Sequence, residues 1–298
     1  MKILVSGSHG LVGKALTTSL VNAGHEIVSL VRQSANDSEI EWHPNQGKIN
    51  GQQLEGFDVV VHLAGESIAS GRWTEEKKRK IRESRVKGTE LLSSALARLS
   101  QPPSTFISAS AIGFYGNRGD ELLTEESAPG DGFLPEVCVA WEKATGQPEA
   151  KGIRTIHPRF GIILDEKGGA LERMLTPFRM GVGGKVGNGK QWMSWIALDD
   201  VINALRFLID EPGSEGAVNF TAPNPVTNAD FTEALGNVLS RPTLLSVPAF
   251  AARLAFGEMA DELLLSSARV EPGRLKENGY EFKHPELSSA LKAILGGS

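Results

Sequence analysis

Apolar residues open the chain as a short unbroken run and then change period. Ile3, Leu4 and Val5 read as a buried strand over residues 2–6. Leu11, Ala15, Leu16 and Leu20 then fall on one face of a helix over residues 11–23. The same alternation continues through the first half of the chain. It predicts strands at residues 26–31, 58–63, 104–110 and 153–157, and helices at 73–99 and 136–150. Thr74 is the N-cap of the long helix, with Glu75 and Glu76 in its first turn. Strand and helix in alternation build a parallel, doubly wound α/β sheet with helices on both faces. After Gly168 strand signals thin out. A helix over residues 169–180 is interrupted or ended near Pro177, and a flexible glycine-rich loop fills 181–189. A helix ending near Ile209, a strand at 217–221 and a helix at 228–239 capped by Thr227 or Asn228 follow. From Pro242, prolines alternate with short apolar helices. The expected division is a Rossmann domain over residues 1–168 and a smaller C-terminal lobe over most of 169–298, with 196–221 returning to the sheet.

The first strand turns straight into its helix through Gly7, Gly10 and Gly13. Such a turn aims free backbone N–H groups and the positive end of the helix dipole at one spot, which suits a pyrophosphate. Gly7 allows the tight turn, Gly10 lets the backbone approach phosphates, and Gly13 lets helix and strand pack closely. Ser8, Leu11 and Val12 belong to the same cradle. Where an NAD-specific fold carries an acid for the ribose 2′-hydroxyl, the second strand ends in Arg32, followed by Gln33 and Ser34. A guanidinium pairs with a phosphate, so the expected cofactor is NADP. Leu63, Ala64 and Gly65 follow the third strand and form the cofactor's wall. His62 has no evident acid or metal partner and reads as a strand-end residue. Ser108 and Ser110 reach the same carboxyl edge, and the long acidic, glycine-rich segment 117–134 reads as a substrate wall.

Bulk composition narrows the partners. A net charge of −5 gives no reason to expect nucleic acid or an anionic membrane. The basic run from Lys77 reads as a solvated helix face, with Arg85 set apart from it. Cys138 is the one cysteine, so neither an intramolecular disulfide nor a cysteine metal cluster forms. That suits a reducing compartment, and with a strand beginning at Lys2 the expectation is a cytoplasmic protein without a signal peptide. No apolar run reaches the roughly 18 residues of a membrane span. The expected partner is a small-molecule substrate, with no metal, and the chain acts as a monomer or homodimer.

Taken together, Gly7, Gly10 and Gly13, the run from His62 to Gly65, the Arg85-Val-Lys-Gly-Thr89 stretch, and Ser108 and Ser110 with Tyr115 and Gly116 resemble the extended short-chain dehydrogenase/reductase superfamily. Gly65-Glu66, Arg72-Trp73-Thr74, the run from Arg82 to Arg85, the stretch from Gly189 through Trp192 and Trp195 to Ile196, and the run from Gly257 to Ala260 resemble its "epimerase family" of NADP-binding proteins with undefined substrate. The resemblance covers essentially the whole chain. It implies a Rossmann fold, NADP, and a catalytic serine with a Tyr-x-x-x-Lys pair, in which the lysine lowers the tyrosine pKa. This chain departs from that set. One register puts Val137 and Trp141 at the Tyr and Lys positions, and the other puts Cys138 and Glu142 there. Ser110 holds the serine position, and Tyr115 is the phenol near it. Ser110, Tyr115 and Glu142 are therefore the candidate catalytic residues. Glu142 is expected to titrate high beside Trp141, and the Cys138 thiol to be buried and inert. Arg85 and Arg159 join the cofactor candidates. Two readings stand: an NADP-dependent oxidoreductase or epimerase acting on a small carbonyl or sugar-type substrate by a non-standard route, and a catalytically silent NADP-binding regulatory or interaction protein.

Overall fold

A computed structural model describes residues 1–34, 36, 38–211 and 213–296. Its central sheet runs, from one edge, Gly216–Phe220, Arg154–Phe160, Thr105–Ser108, Val59–His62, Lys2–Ser6, Glu26–Val31 and Glu39–His43. These pairings are all parallel, and the short strand Lys48–Ile49 closes the far edge antiparallel. Chain order reverses between Lys2–Ser6 and Val59–His62. Ligands bind at the carboxyl ends of such a switch point.

The unbroken apolar runs follow from burial on both faces. Ile3, Val5, Val59 and Val61 pack under helices Leu11–Asn22 and Leu198–Asp210, through Leu16, Leu20, Val201, Leu205 and Leu208. Leu4, Val60 and Phe106 face the other way, against Leu92 and Leu96 of helix Glu75–Leu96. Thr74 caps that helix by accepting from the Lys77 N–H at 3.2 Å.

A second core gathers Leu171, Leu175 and Phe178 with Met193, Trp195, Phe231, Leu235 and Leu291. It lies within the segment expected to form the C-terminal lobe, whose residues 212, 297 and 298 are outside the described ones. Gly216–Phe220 leaves that segment to pair with Arg154–Phe160 in the main sheet.

Two local expectations change. The helix Gly169–Arg179 runs through Pro177 instead of stopping there. Leu171, Leu175 and Phe178 recur on one buried face, so packing outweighs the backbone bond that proline lacks. Within the glycine-rich loop, Gly184–Val186 forms a strand parallel to Leu245–Val247. A side chain at Gly184 would place Cβ 1.9 Å from the Leu245 carbonyl oxygen, so glycine here permits pairing as well as flexibility.

The first turn is a tight backbone approach. A Cβ at Gly13 would lie 2.1 Å from the Gly7 carbonyl oxygen, whereas one at Gly10 would lie 3.3 Å from the same atom. Gly13→Ala is therefore expected to cost roughly 1–3 kcal/mol of stability, and Gly10→Ala clearly less. Thermal melts of both variants check this, and equal losses would count against the packing assigned to Gly13.

Candidate functional site

Two loops meet at the switch point. Helix Leu11–Asn22 starts at Gly10 with no acidic residue in its first turn, so its N–H groups face the carboxyl edge uncompensated. Gly7 sits at φ 71°, where only glycine is unstrained, and its carbonyl accepts from the Gly10 N–H at 3.0 Å. The loop after Val59–His62 lies against it: a Cβ on Gly7 would stand 2.8 Å from the Ala64 nitrogen.

Ser6 and His62 tie these loops together. The Ser6 hydroxyl accepts from the Leu63 and Ala64 N–H groups at 3.2 and 3.4 Å and lies 2.6 Å from His62 Nδ1. With its lone pairs so engaged, the hydroxyl donates to Nδ1, which puts the imidazole proton on Nε2. Nε2 is buried with no partner, beside the edge of Trp42. Burial holds the His62 pKa down at about 4, so the ring is neutral. The strand-end expectation for His62 thus acquires a specific contact.

Arg32 is exposed at the end of Glu26–Val31 and forms no ion pair among the described residues. Ser8 is buried inside the turn, while Leu11 and Val12 are half-buried at its rim. Leu63, Ala64 and Gly65 follow the neighbouring strand. A helix N-terminus free of acids, glycines that let a ligand approach, and an unpaired cation one strand away fit a dinucleotide carrying an extra phosphate. No group of His, Cys, Asp and Glu side chains suited to a metal occurs among the described residues, and no helix among them is long and apolar enough to cross a membrane.

The candidate catalytic residues form one network. Ser110 donates to Glu142 Oε1 at 2.6 Å. Arg159 grips the same carboxylate with Nε on Oε1 and Nη2 on Oε2, each at 2.8 Å. Arg159 Nη1 donates to the Tyr115 hydroxyl at 2.9 Å, and Tyr115 donates to Asn219 Oδ1 at 2.7 Å. The guanidinium also lies 3.5 Å from the Phe114 ring centre. Burial alone would lower the Arg159 pKa, but the hydrogen bonds and charge of Glu142 raise it above the ordinary value. Tyr115 is fully buried, and burial raises its pKa despite Arg159, so its phenol keeps its proton.

Several expectations shift here. Arg159, placed with the cofactor residues by sequence, has its guanidinium filled by Glu142 and Tyr115. Tyr115 has both donor and acceptor roles occupied inside the protein. Of the two registers in helix Phe133–Lys143, the second brings a side chain to Ser110, since Glu142 reaches it. Cys138, one turn earlier, is buried, and burial first, then the Glu142 charge, pushes its thiol up to about 12. Trp141 turns away to donate to Thr89 at 3.0 Å and lies under the Arg85 guanidinium, 5.0 Å from ring centre to cation. Trp195, part of the stretch that carries the family resemblance, is fully buried in the second core.

Asn219 and Glu125 complete the network and were not singled out by sequence. Glu125 Oε1 accepts from the Asn219 and Arg274 N–H groups at 3.0 and 3.1 Å, and Asn219 Nδ2 donates to the Glu271 carbonyl at 2.9 Å. The available signal for Asn219 was an amide between Val218 and Phe220 in an apolar strand, a position that demands a buried partner.

Residues 3–146 match the NAD dependent epimerase/dehydratase family, and residues 247–294 match a domain of unknown function, DUF1731. An epimerase family protein of Mycobacterium tuberculosis is 43% identical over 290 residues, covering 97% of this chain and 96% of that protein. The crystal structure of human epimerase family protein SDR39U1 with NADPH superposes with a TM-score of 0.93 at 32% identity, covering 100% of both chains. A nucleoside-diphosphate sugar epimerase structure from Corynebacterium glutamicum has a TM-score of 0.84 at 39% identity, covering 100% of this chain and 59% of that one.

The buried neutral His62 makes a pH prediction. Its folded pKa lies below the unfolded value of roughly 6.5, so its contribution to stability is present above that pH and is lost as pH falls toward about 4. The full loss amounts to about 3 kcal/mol. His62→Asn, which leaves an acceptor for Ser6 and nothing to protonate, is expected to flatten this part of the stability profile. Denaturant midpoints measured from pH 7 to 4 on both proteins check it; parallel profiles would count against the assignment.

Proposed function

The chain belongs to the NAD dependent epimerase/dehydratase family, and within it we propose an NADP(H)-dependent oxidoreductase or epimerase acting on a small carbonyl or sugar-type substrate. The observation that carries this reading is the placement of the Ser110–Glu142 pair on the carboxyl edge that also holds the glycine turn. Gly7, Ser8, Gly10, Leu11, Val12 and Gly13 would hold the cofactor's diphosphate, Leu63, Ala64 and Gly65 would wall it, and Arg32 would meet its 2′-phosphate. When bound, the cofactor supplies hydride chemistry. The human relative solved with NADPH supports the choice of cofactor.

The protein's own part is proton handling. Ser110 holds the substrate oxygen and passes a proton between it and Glu142 Oε1, the atom 2.6 Å away. The relay runs toward Glu142 when a substrate hydroxyl is oxidised and away from it when a carbonyl is reduced. Arg159 positions the carboxylate, and Tyr115 and Asn219 position Arg159. The base is thus a carboxylate fixed by an arginine, in place of a phenol tuned by a lysine. A second reading, binding without turnover, is favoured by one observation: both Glu142 oxygens accept from Arg159.

Arg32→Ala is expected to weaken NADPH binding by roughly one to two orders of magnitude and to leave NADH binding unchanged. Titration of both cofactors into both proteins checks it. Equal affinity of the native protein for NADPH and NADH contradicts the NADP assignment.

The test of the chemistry follows NADPH absorbance while the loaded protein meets a panel of small carbonyl compounds and sugar nucleotides. With a substrate in hand, Ser110→Ala and Glu142→Gln are each expected to lower kcat by roughly 10²–10⁴-fold, and Cys138→Ser to leave it unchanged. Absence of turnover across the panel, with NADPH bound, would favour the silent reading.

A further inference from the structure

Two guanidiniums pack against the helix that carries Glu142, and they are not in the same condition. Arg159 offers its Nε/Nη2 edge to Glu142, and a carboxylate fills it. Arg85 uses only Nη1, which donates to the Glu66 and Ile81 carbonyls at 3.0 and 3.2 Å. Its Nε and Nη2 have no hydrogen-bond partner among the described residues, yet neither is sealed from solvent. No carboxylate among the described residues comes within 4 Å of it. The carboxylate of Glu66, whose carbonyl Arg85 bonds, is held by Lys77 at 2.6 Å.

Burial lowers the Arg85 pKa below the ordinary guanidinium value, against weaker opposition from Cys138 and Glu66. A half-buried cation with a free planar fork is incomplete without an anion. Its surroundings orient that fork. The cation lies over Trp141, whose ring is fixed by Thr89, and a Cβ on Gly65 would stand only 3.5 Å from the guanidinium carbon.

Position decides which anion fits. The diphosphate cradle is the start of helix Leu11–Asn22. Arg85 stands beside Gly65 and over Trp141 of the helix that carries Glu142. We propose that Arg85 receives a carboxylate of the substrate through Nε and Nη2, so that the substrate is a keto or hydroxy acid whose reacting oxygen faces Ser110. A planar two-oxygen group matches the free fork as Glu142 matches that of Arg159. This inference rests on the reading that the site binds NADP(H).

The test uses protein saturated with NADPH and three probes: oxamate, which sets a carboxylate beside a carbonyl; oxamide, its neutral analogue; and inorganic phosphate. Calorimetry is expected to show oxamate binding to the native protein. Arg85→Gln should weaken it roughly tenfold or more, and Arg85→Lys, which keeps the charge without the fork, by an intermediate factor. NADPH affinity and melting temperature should stay close to native in both variants. Oxamide binding, if measurable, should not depend on Arg85. Loss of NADPH affinity in a folded Arg85→Gln would make Arg85 a cofactor ligand and overturn the proposal. So would absent or Arg85-independent oxamate binding, or phosphate binding that depends on Arg85 more strongly than oxamate does. Failure of the native protein to bind NADPH at all would instead refute the underlying reading.

Discussion

The Glu142–Arg159 ion pair is the contact on which the site end of this protein depends. Both side chains are largely withdrawn from water, at 14% and 5% exposure, so neither is tolerable alone. Breaking such a pair leaves an uncompensated buried charge, at a cost of about 3–5 kcal/mol. Through it, strand Arg154–Phe160 is tied to helix Phe133–Lys143, and Tyr115 and Asn219 extend the tie to the Glu271 carbonyl in the C-terminal segment. Ser110 inherits its orientation from Glu142. The conformation of the Glu142 carboxylate is thereby set by residues from four separate parts of the chain.

The cofactor side is organised by a different economy. Backbone N–H groups and small residues form the cradle, and Ser6 ties its two loops with one hydroxyl. His62 accepts the Ser6 proton and stays neutral because it is buried. Arg32 adds a positive charge at its rim. The two halves of the site thus differ in kind: backbone dipoles and open space at the glycine turn, and a fixed ion pair around Ser110.

Most of the fold was legible because both relevant periods are local. The Val-rich strands and the helices that follow them announce a parallel sheet, and the three glycines mark its first turn. Pro177 and Gly184 were misleading because their outcomes depend on distant partners: Phe178 in the second core and the Leu245 backbone. The candidate site was half legible. Ser110 and Glu142 could be singled out from the motif and its broken Tyr/Lys pair. Their junction with Arg159 was not legible, because it joins residues 17 positions apart across a helix and a strand. Asn219, 104 positions from Tyr115, gave still less local signal.

A double-mutant cycle on Glu142→Gln and Arg159→Met, read by equilibrium unfolding with NADPH titration of each folded variant, tests the account most directly. If the ion pair is the organising contact, Arg159→Met loses about 3–5 kcal/mol, the double variant loses no more than the worse single one, and NADPH affinity stays near native throughout. Additive losses, or a folded Arg159→Met that has lost NADPH while Glu142→Gln retains it, would contradict the account and return Arg159 to the cofactor.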